Sequence, residues 1–185
     1  MIGFCEKWWL TAVRGCIACG FGVAVFLRLG MDAAGLAVVF GVFALLDGLV
    51  LIALGVVARD VLEQWWLVLV QGLVGVAVGV VALGRPGLGT LGLLALLAAW
   101  AVLTGIFEIE AGVRLRRFAV AGRSLLGGGG ISLLAGIALI ALPIDDPSEA
   151  LPAIGAFGLT YGAALVITAA SLRRASRSAD PGAVA

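Results

Sequence analysis

The chain has 185 residues, 63% of them apolar and only 12% charged, with a formal net charge of +1 and no histidine. Soluble domains are roughly half apolar and a quarter charged, and a chain this small has too much surface to hide so few polar residues in water. A mean hydropathy of +1.20 therefore excludes a water-soluble fold and makes lipid the solvent for most of the surface.

A helix crosses the hydrocarbon layer with about 20 apolar residues. Six runs meet that length: 8–27, 33–58, 65–83, 88–113, 124–142 and 150–172. The first opens on Trp8 and Trp9; Glu6 and Lys7 make no basic leader and no small-residue cleavage site follows, so it reads as a retained helix. It carries Arg14, Cys16 and Cys19, and the second run carries Asp47 near its middle. The third opens on Trp65 and Trp66 and holds Gln71; the fourth holds Thr104, Glu108 and Glu110. The fifth contains the glycine run 127–130, and the sixth contains Tyr161 before Arg173 and Arg174. Residues 176–185 are too few and too polar to fold alone and read as a disordered cytoplasmic tail after a single domain over 1–175. The runs are rich in Leu, Ala and Val without the alternation of barrel strands, so an all-α membrane fold follows.

Basic residues near helix ends set the orientation. Lys7, Arg59, Arg114, Arg116, Arg117, Arg123, Arg173, Arg174 and Arg177 fall on one side, and only Arg28 and Arg85 on the other. Both termini are thus expected in the cytoplasm, with Trp8, Trp9, Trp65 and Trp66 at that interface. Asp32, Asp145, Asp146 and Glu149 make the opposite loops acidic.

A shift of 57 residues superimposes the chain on itself twice without a gap, giving repeats 8–60, 65–117 and 122–174. Trp8-Trp9 falls on Trp65-Trp66, Arg28 on Arg85, Pro86 on Pro143, and Arg116-Arg117 on Arg173-Arg174. Gly15, Gly72 and Gly129 coincide, as do Gly22, Gly79 and Gly136, and Gly48, Gly105 and Gly162. Small residues recur every seven positions in the second helix of each unit too: Gly41, Gly48, Gly55; Ala98, Gly105, Gly112; Gly155, Gly162, Ala169. Seven residues are two turns along one face, and small residues there let helix backbones approach in lipid, where dispersion drives association. The expected architecture is six transmembrane helices as three tandem hairpins in a pseudo-threefold bundle. The repeats are parallel, unlike the inverted repeats of many alternating-access carriers.

The second repeat, WWLVLVQGLVGVAVGVVALGRPGLGTLGLLALL over 65–97 followed by GIFEIEAGVRLRR over 105–117, resembles the HdeD-type membrane proteins of bacterial acid resistance. That family's hairpin is similar in its aromatic entry, Gly-rich helix, Pro turn, and second helix ending in Gly-Ile-x-x-Ile and arginines. The first repeat has Leu29 where the turn proline belongs, and the third has Gly122 and Arg123 in place of the tryptophans. The resemblance implies a bacterial inner-membrane protein linked to acid or envelope stress, with no assigned substrate or catalytic residue.

An ionisable side chain at a membrane-helix centre costs about 2.5–3.5 kcal/mol on insertion scales. Arg14, Asp47 and Glu108 therefore need partners. The repeat places Arg14, Gln71 and Gly128 at one depth and Asp47, Thr104 and Tyr161 at another. Arg14 is expected to reach along its helix to Asp47, Glu108 to join from one turn beyond Thr104, and Glu110 to turn toward Arg114. Such a cluster is either an internal clamp fixing helix register or a proton- or ion-binding site. For the second, Asp47 and Glu108 are the candidates, because burial and a nearby arginine act on a carboxylate in opposite directions.

Without histidine, the commonest metal ligand and the usual triad base are missing, so no metal, cofactor or catalytic residue is expected. Cys16 and Cys19 lie in an apolar run without a second pair and read as small packing residues; Cys5 is at best a palmitoylation candidate. GRPGLG, 84–89, lacks the Lys-Ser/Thr of a phosphate loop and reads as a turn. The arginines are accounted for by topology and anionic lipid, not nucleic acid. The partners expected are membrane lipids, with a second copy or another membrane protein left open. The leading expectation is a non-enzymatic stress-response membrane protein of the HdeD type. Two alternatives stay open: a small proton-linked transporter or channel using the polar cluster, and a scaffold subunit of a larger membrane complex.

Overall fold

In lipid each backbone N–H and C=O must find its partner within the protein, and unbroken helices achieve this locally. The computed structural model describes residues 7–27, 32–60, 64–85, 89–115, 119–141 and 147–178. They form six helices: α1 (Trp8–Phe26), α2 (Ala33–Val57), α3 (Trp65–Gly84), α4 (Gly89–Arg114), α5 (Ala119–Ala141) and α6 (Pro147–Ser178). Each has a segment long and apolar enough to cross a membrane. The shortest, of 19 residues, is about 28 Å long at 1.5 Å per residue, close to the hydrocarbon thickness of about 30 Å. Cys5, Arg28, the turn residues Pro86 and Pro143, Arg116, Arg117, Asp145, Asp146 and residues 179–185 of the expected tail lie outside the described residues.

Two helices extend beyond their apolar runs. α5 starts at Ala119, ahead of the expected 124, because Arg123 interrupts the run of hydropathy without interrupting the helix; its side chain is exposed. α6 starts on Pro147, where a fixed φ suits the first helical position and no donor is lost, and continues to Ser178. At the start of α2 the Asp32 carboxylate accepts from the Gly35 backbone N–H at 2.8 Å, which caps the helix. Gly89 opens α4 with φ +65°, a left-handed conformation that glycine adopts without steric cost.

The outer surface is apolar over its length: Val23, Val42, Leu49, Leu73, Val80, Leu134, Ile137, Ile140 and Ile167 are all exposed. A continuous surface of this kind is far beyond the patches that soluble monomers carry. Successive helices run antiparallel, so the described basic residues Lys7, Arg59, Arg114, Arg123, Arg173, Arg174 and Arg177 collect at one end of the bundle, while Arg85 and Asp32 mark the other.

The closest helix contacts join the second helix of one repeat to the first helix of the next: α2 with α3, α4 with α5, and α6 with α1. The two helices of a single repeat lie less intimately together. The same contact recurs at each close seam. A Cβ on Gly48 would lie 2.7 Å from the Gly72 carbonyl oxygen and the Val76 nitrogen. One on Gly105 would lie 2.7 Å from the Gly129 oxygen and the Leu133 nitrogen, and one on Gly162 2.7 Å from the Cys19 nitrogen and 2.9 Å from the Gly15 oxygen. Gly22, Gly79 and Gly136 also meet backbone further along the same seams, with a Cβ 2.5 Å from the Leu159 nitrogen, 2.8 Å from the Gly41 oxygen and 2.9 Å from the Ala98 oxygen, respectively. Any side chain at these positions would drive two backbones apart.

The half of the bundle away from the basic end is filled without polar groups. Phe21 stacks on Phe43 with ring centroids 4.6 Å apart, and Phe40 tilts against both. Leu36, Leu93, Leu94, Leu97, Trp100, Leu151 and Ile154 complete this plug, all buried. Toward the basic end the interior changes character.

Candidate functional site

Arg14 sits two turns into α1, and its long side chain reaches deeper, toward the middle of α2. There its Nε donates to Asp47 Oδ1 at 2.8 Å and its Nη2 to Oδ2 at 3.2 Å, the two-pronged geometry a guanidinium makes with a carboxylate. Nη2 also donates to the Tyr161 hydroxyl from α6 at 2.9 Å, and that hydroxyl donates to Glu108 Oε1 from α4 at 2.7 Å. Glu108 Oε1 itself lies 3.6 Å from Arg14 Nη2. Four helices thus contribute one side chain each to a connected chain, Asp47–Arg14–Tyr161–Glu108, with Asp47 wholly buried and Glu108 only 3% exposed.

Gln71 of α3 and Thr104 of α4 are buried beside these groups but are not tied into the chain: Gln71 Nε2 and Thr104 Oγ1 have no hydrogen-bond partner. Glu108 Oε2 has none either. In charge terms the cluster sets one guanidinium against two carboxylates. It is neutral with one carboxyl protonated and carries −1 with both ionised, and an uncompensated charge at this depth is costly. Asp47 takes two bonds from Arg14, whereas Glu108 meets it at longer range, so Glu108 is the carboxyl with bonding capacity to spare.

A cavity of about 160 Å³ leads from these groups toward the basic end of the bundle. Arg14, Gln71 and Glu108 line its inner part. Gln64, Glu110 and Arg114 line its outer part, where Glu110 accepts a hydrogen bond from Arg114 and both are partly exposed. Its walls are otherwise mostly apolar, including Leu51, Leu54, Leu67, Leu125, Leu165 and Leu172. The site is therefore a one-sided vestibule: an apolar-walled entry ends on a buried ionic chain, and the aromatic plug closes the way beyond.

Residue identities alone did not disclose this vestibule, because leucines dominate its wall and resemble any other membrane-helix leucines. Gly128 was readable only as the third member of the Arg14–Gln71 position. In the fold it lies between Ala164 and Glu108: a Cβ there would lie 3.1 Å from the Ala164 Cβ and 3.6 Å from the free Oε2. Two further polar links hold α5 in place. Ser132 donates to the Ala101 carbonyl at 2.8 Å, and the hydroxyls of Ser124 and Thr168 lie 2.6 Å apart. The packing glycines lie at the seams described above, and Gly15, Gly48 and Gly162 directly follow Arg14, Asp47 and Tyr161 in the chain. Cys16 faces outward and Cys19 is half-buried, neither of them in a disulfide. Among the described residues no group of three or more His, Cys, Asp and Glu side chains is placed to hold a metal ion.

Six apolar helices around a buried ionic cluster define a multi-pass helical membrane protein. The chain matches the family described as a short repeat of unknown function (DUF308) over residues 13–83 and again over 70–141, and it belongs to that family. The second match begins 57 residues after the first, at 70 against 13, which is the period read from the glycines. Neither a curated protein nor a solved structure matches the chain.

Proposed function

We propose that the chain is a non-enzymatic stress protein of the bacterial inner membrane, similar to the HdeD type, in which Glu108 exchanges a proton with the vestibule. The observation that carries this reading is the free Glu108 Oε2 at the inner end of the cavity, on a cluster whose charges balance when one carboxyl is protonated. Uptake of a proton there brings the cluster to neutrality; its release leaves Arg14 shared between Asp47 and Glu108 through Tyr161. The clamp between four helices thus depends on the proton supply at one face of the membrane.

The concentration of arginines at one end supports cytoplasmic termini and a vestibule open to the cytoplasm. The recurrence of one glycine contact at three seams supports a pseudo-threefold arrangement of the three hairpins. A second reading, a small proton-linked transporter, is favoured by the one-sided vestibule, which is half of a path; it requires the Phe21–Phe40–Phe43 plug to open.

The test is infrared difference spectroscopy of the protein in lipid nanodiscs, titrated from neutral to acidic pH. A carboxylic-acid carbonyl band should grow on acidification and be lost in Glu108→Gln. The same band in both proteins, or no change in either while they stay folded, refutes the reading. Survival of acid-challenged cells carrying wild type or Glu108→Gln then tests the stress role.

A further inference from the structure

The three repeat-equivalent positions Arg14, Gln71 and Gly128 face the same interior, and only the first supplies a cation. Arg14 gives its bonds to Asp47 and Tyr161. The third position, Gly128, has no side chain and borders Glu108 Oε2, the oxygen without a partner. A buried carboxylate oxygen, an amide nitrogen of Gln71 also without a partner, and an apolar-walled cavity that both residues line therefore stand together. Both side chains are more than nine-tenths buried.

We propose that this cavity binds a small amphipathic ammonium, its nitrogen on Glu108 Oε2 and its hydrocarbon body against Leu51, Leu54 and Leu67. The inference rests on the reading that Glu108 is the exchangeable group of the cluster and names the ligand that would replace its proton. Charge selects a cation, since the cluster with both carboxyls ionised carries one negative charge in excess. The donor set selects an ammonium over a divalent metal, because Ca²⁺ and Mg²⁺ require about six oxygens and the inner cavity offers one carboxylate and one amide. A half-turn of the Gln71 amide exchanges its nitrogen for its oxygen and turns it into a second acceptor. Size selects the body: a cavity of about 150 Å³ lined by apolar side chains holds benzene, and this one measures about 160 Å³. One aromatic ring or a chain of a few carbons fits.

Ammonium and proton compete for the same oxygen, so binding weakens on acidification. The charged and titratable groups that bear on Glu108 are Arg14 of α1, Asp47 of α2 and Tyr161 of α6; on its own helix Glu110 and Arg114 pair with each other at the mouth. Gln71 of α3 and Gly128 of α5 add no charge.

The test is calorimetric titration of the full chain in nanodiscs with benzylammonium, and with benzyl alcohol as a neutral probe of the same shape. Wild type should bind benzylammonium more tightly. Glu108→Gln should lose at least about tenfold in benzylammonium affinity, the loss of one charge-assisted contact, and keep its affinity for benzyl alcohol, which shows the cavity intact. Asp60→Asn, at an exposed carboxylate outside the cavity, should leave both affinities unchanged. Equal binding of the two probes by wild type, or benzylammonium binding that survives Glu108→Gln or fails in Asp60→Asn, overturns the proposal. The infrared titration without amine separates the two ideas. If Glu108 titrates and benzylammonium shows no preference, the proton reading stands and the ammonium site falls; if Glu108 never titrates yet benzylammonium binds through it, the reverse holds.

Discussion

Removing Arg14 is the most direct perturbation of the polar chain. Arg14→Met keeps much of the aliphatic volume and deletes the guanidinium, so Asp47, with no exposed surface, loses both of its hydrogen bonds, and Tyr161 loses its donor. If only hydrogen bonds mattered, three of them at the membrane-protein average of about 0.6 kcal/mol would amount to roughly 2 kcal/mol. Stranding one member of a buried ion pair costs more, about 3–5 kcal/mol, because the remaining charge has no compensation. The difference between these figures separates an ionic clamp from a set of ordinary polar contacts. Equilibrium unfolding in mixed micelles, titrated with sodium dodecyl sulfate, measures it. The expected loss for Arg14→Met is about 3–5 kcal/mol, and adding Asp47→Asn should recover more than half of it, since the stranded charge is then gone while the shape is kept. A loss of 2 kcal/mol or less, or a double variant no more stable than the single one, refutes the ionic account.

Three other outcomes follow from the packing. Gly22→Ala, Gly48→Ala and Gly105→Ala, whose added carbon meets backbone within 3 Å, should each cost about 1–3 kcal/mol in the same unfolding assay; Gly20→Ala and Gly130→Ala, which meet nothing within 4 Å, should be neutral or gain up to about 1 kcal/mol. In a cysteine-free background, Gln64→Cys at the cavity mouth should react with a water-soluble maleimide, and Leu97→Cys in the plug should not; equal labelling would show that the vestibule is not one-sided. Ser132→Ala should lose about 0.5–1.5 kcal/mol, the worth of its buried bond to Ala101, whereas Thr160→Ala on the exposed face of α6 should leave the unfolding midpoint in place.

The six helices were legible because lipid imposes a length of apolar sequence that few other constraints produce. Helix ends were less so: Arg123 and the segment from Pro147 to Ala150 look like interruptions of hydropathy, yet the backbone stays helical through them. Glycines at a period of seven disclosed close faces without naming the partner. The spacing of Gly15 and Gly22 is satisfied equally by any neighbouring helix, and only the fold reveals that α1 sets them against α6, the far end of the chain. Arg14, Asp47, Glu108 and Tyr161 stood out because each departs from an apolar run. The cavity did not, since a wall of leucines carries no signal until three dimensions place a void beside it. Nor could the sequence show that Gln71 and Thr104, at positions equivalent to Arg14 and Asp47, would be left without partners.

Those two residues bear on how a repeated membrane segment acquires a polar centre. In the proposed pseudo-threefold arrangement, the 57-residue period presents three equivalent side chains at each level of the interior: Arg14, Gln71 and Gly128; Asp47, Thr104 and Tyr161; Leu51, Glu108 and Leu165. Identical charges at all three would repel at short range in a medium that screens poorly, so a balanced cluster requires the copies to diverge there. The glycine seams carry no charge and do not conflict when repeated, and they are retained in all three copies. Stability of the frame and asymmetry of the centre are thus separable, and the separation is testable by restoring one pair. Gln71→Arg with Thr104→Asp reproduces in the second repeat the relation of Arg14 to Asp47, at positions whose present side chains lack partners. Thr104→Asp alone buries a further negative charge in a cluster that already has one carboxylate to spare and should cost about 3–5 kcal/mol, whereas Gln71→Arg alone meets Glu108 and should cost less; together they form a pair, and the double variant should lie at least about 2 kcal/mol above Thr104→Asp in the micelle unfolding assay. A double variant whose loss is the sum of the two single losses would mean that the repeats are not equivalent at their interior faces, and that the cluster owes its geometry to features of the first repeat alone.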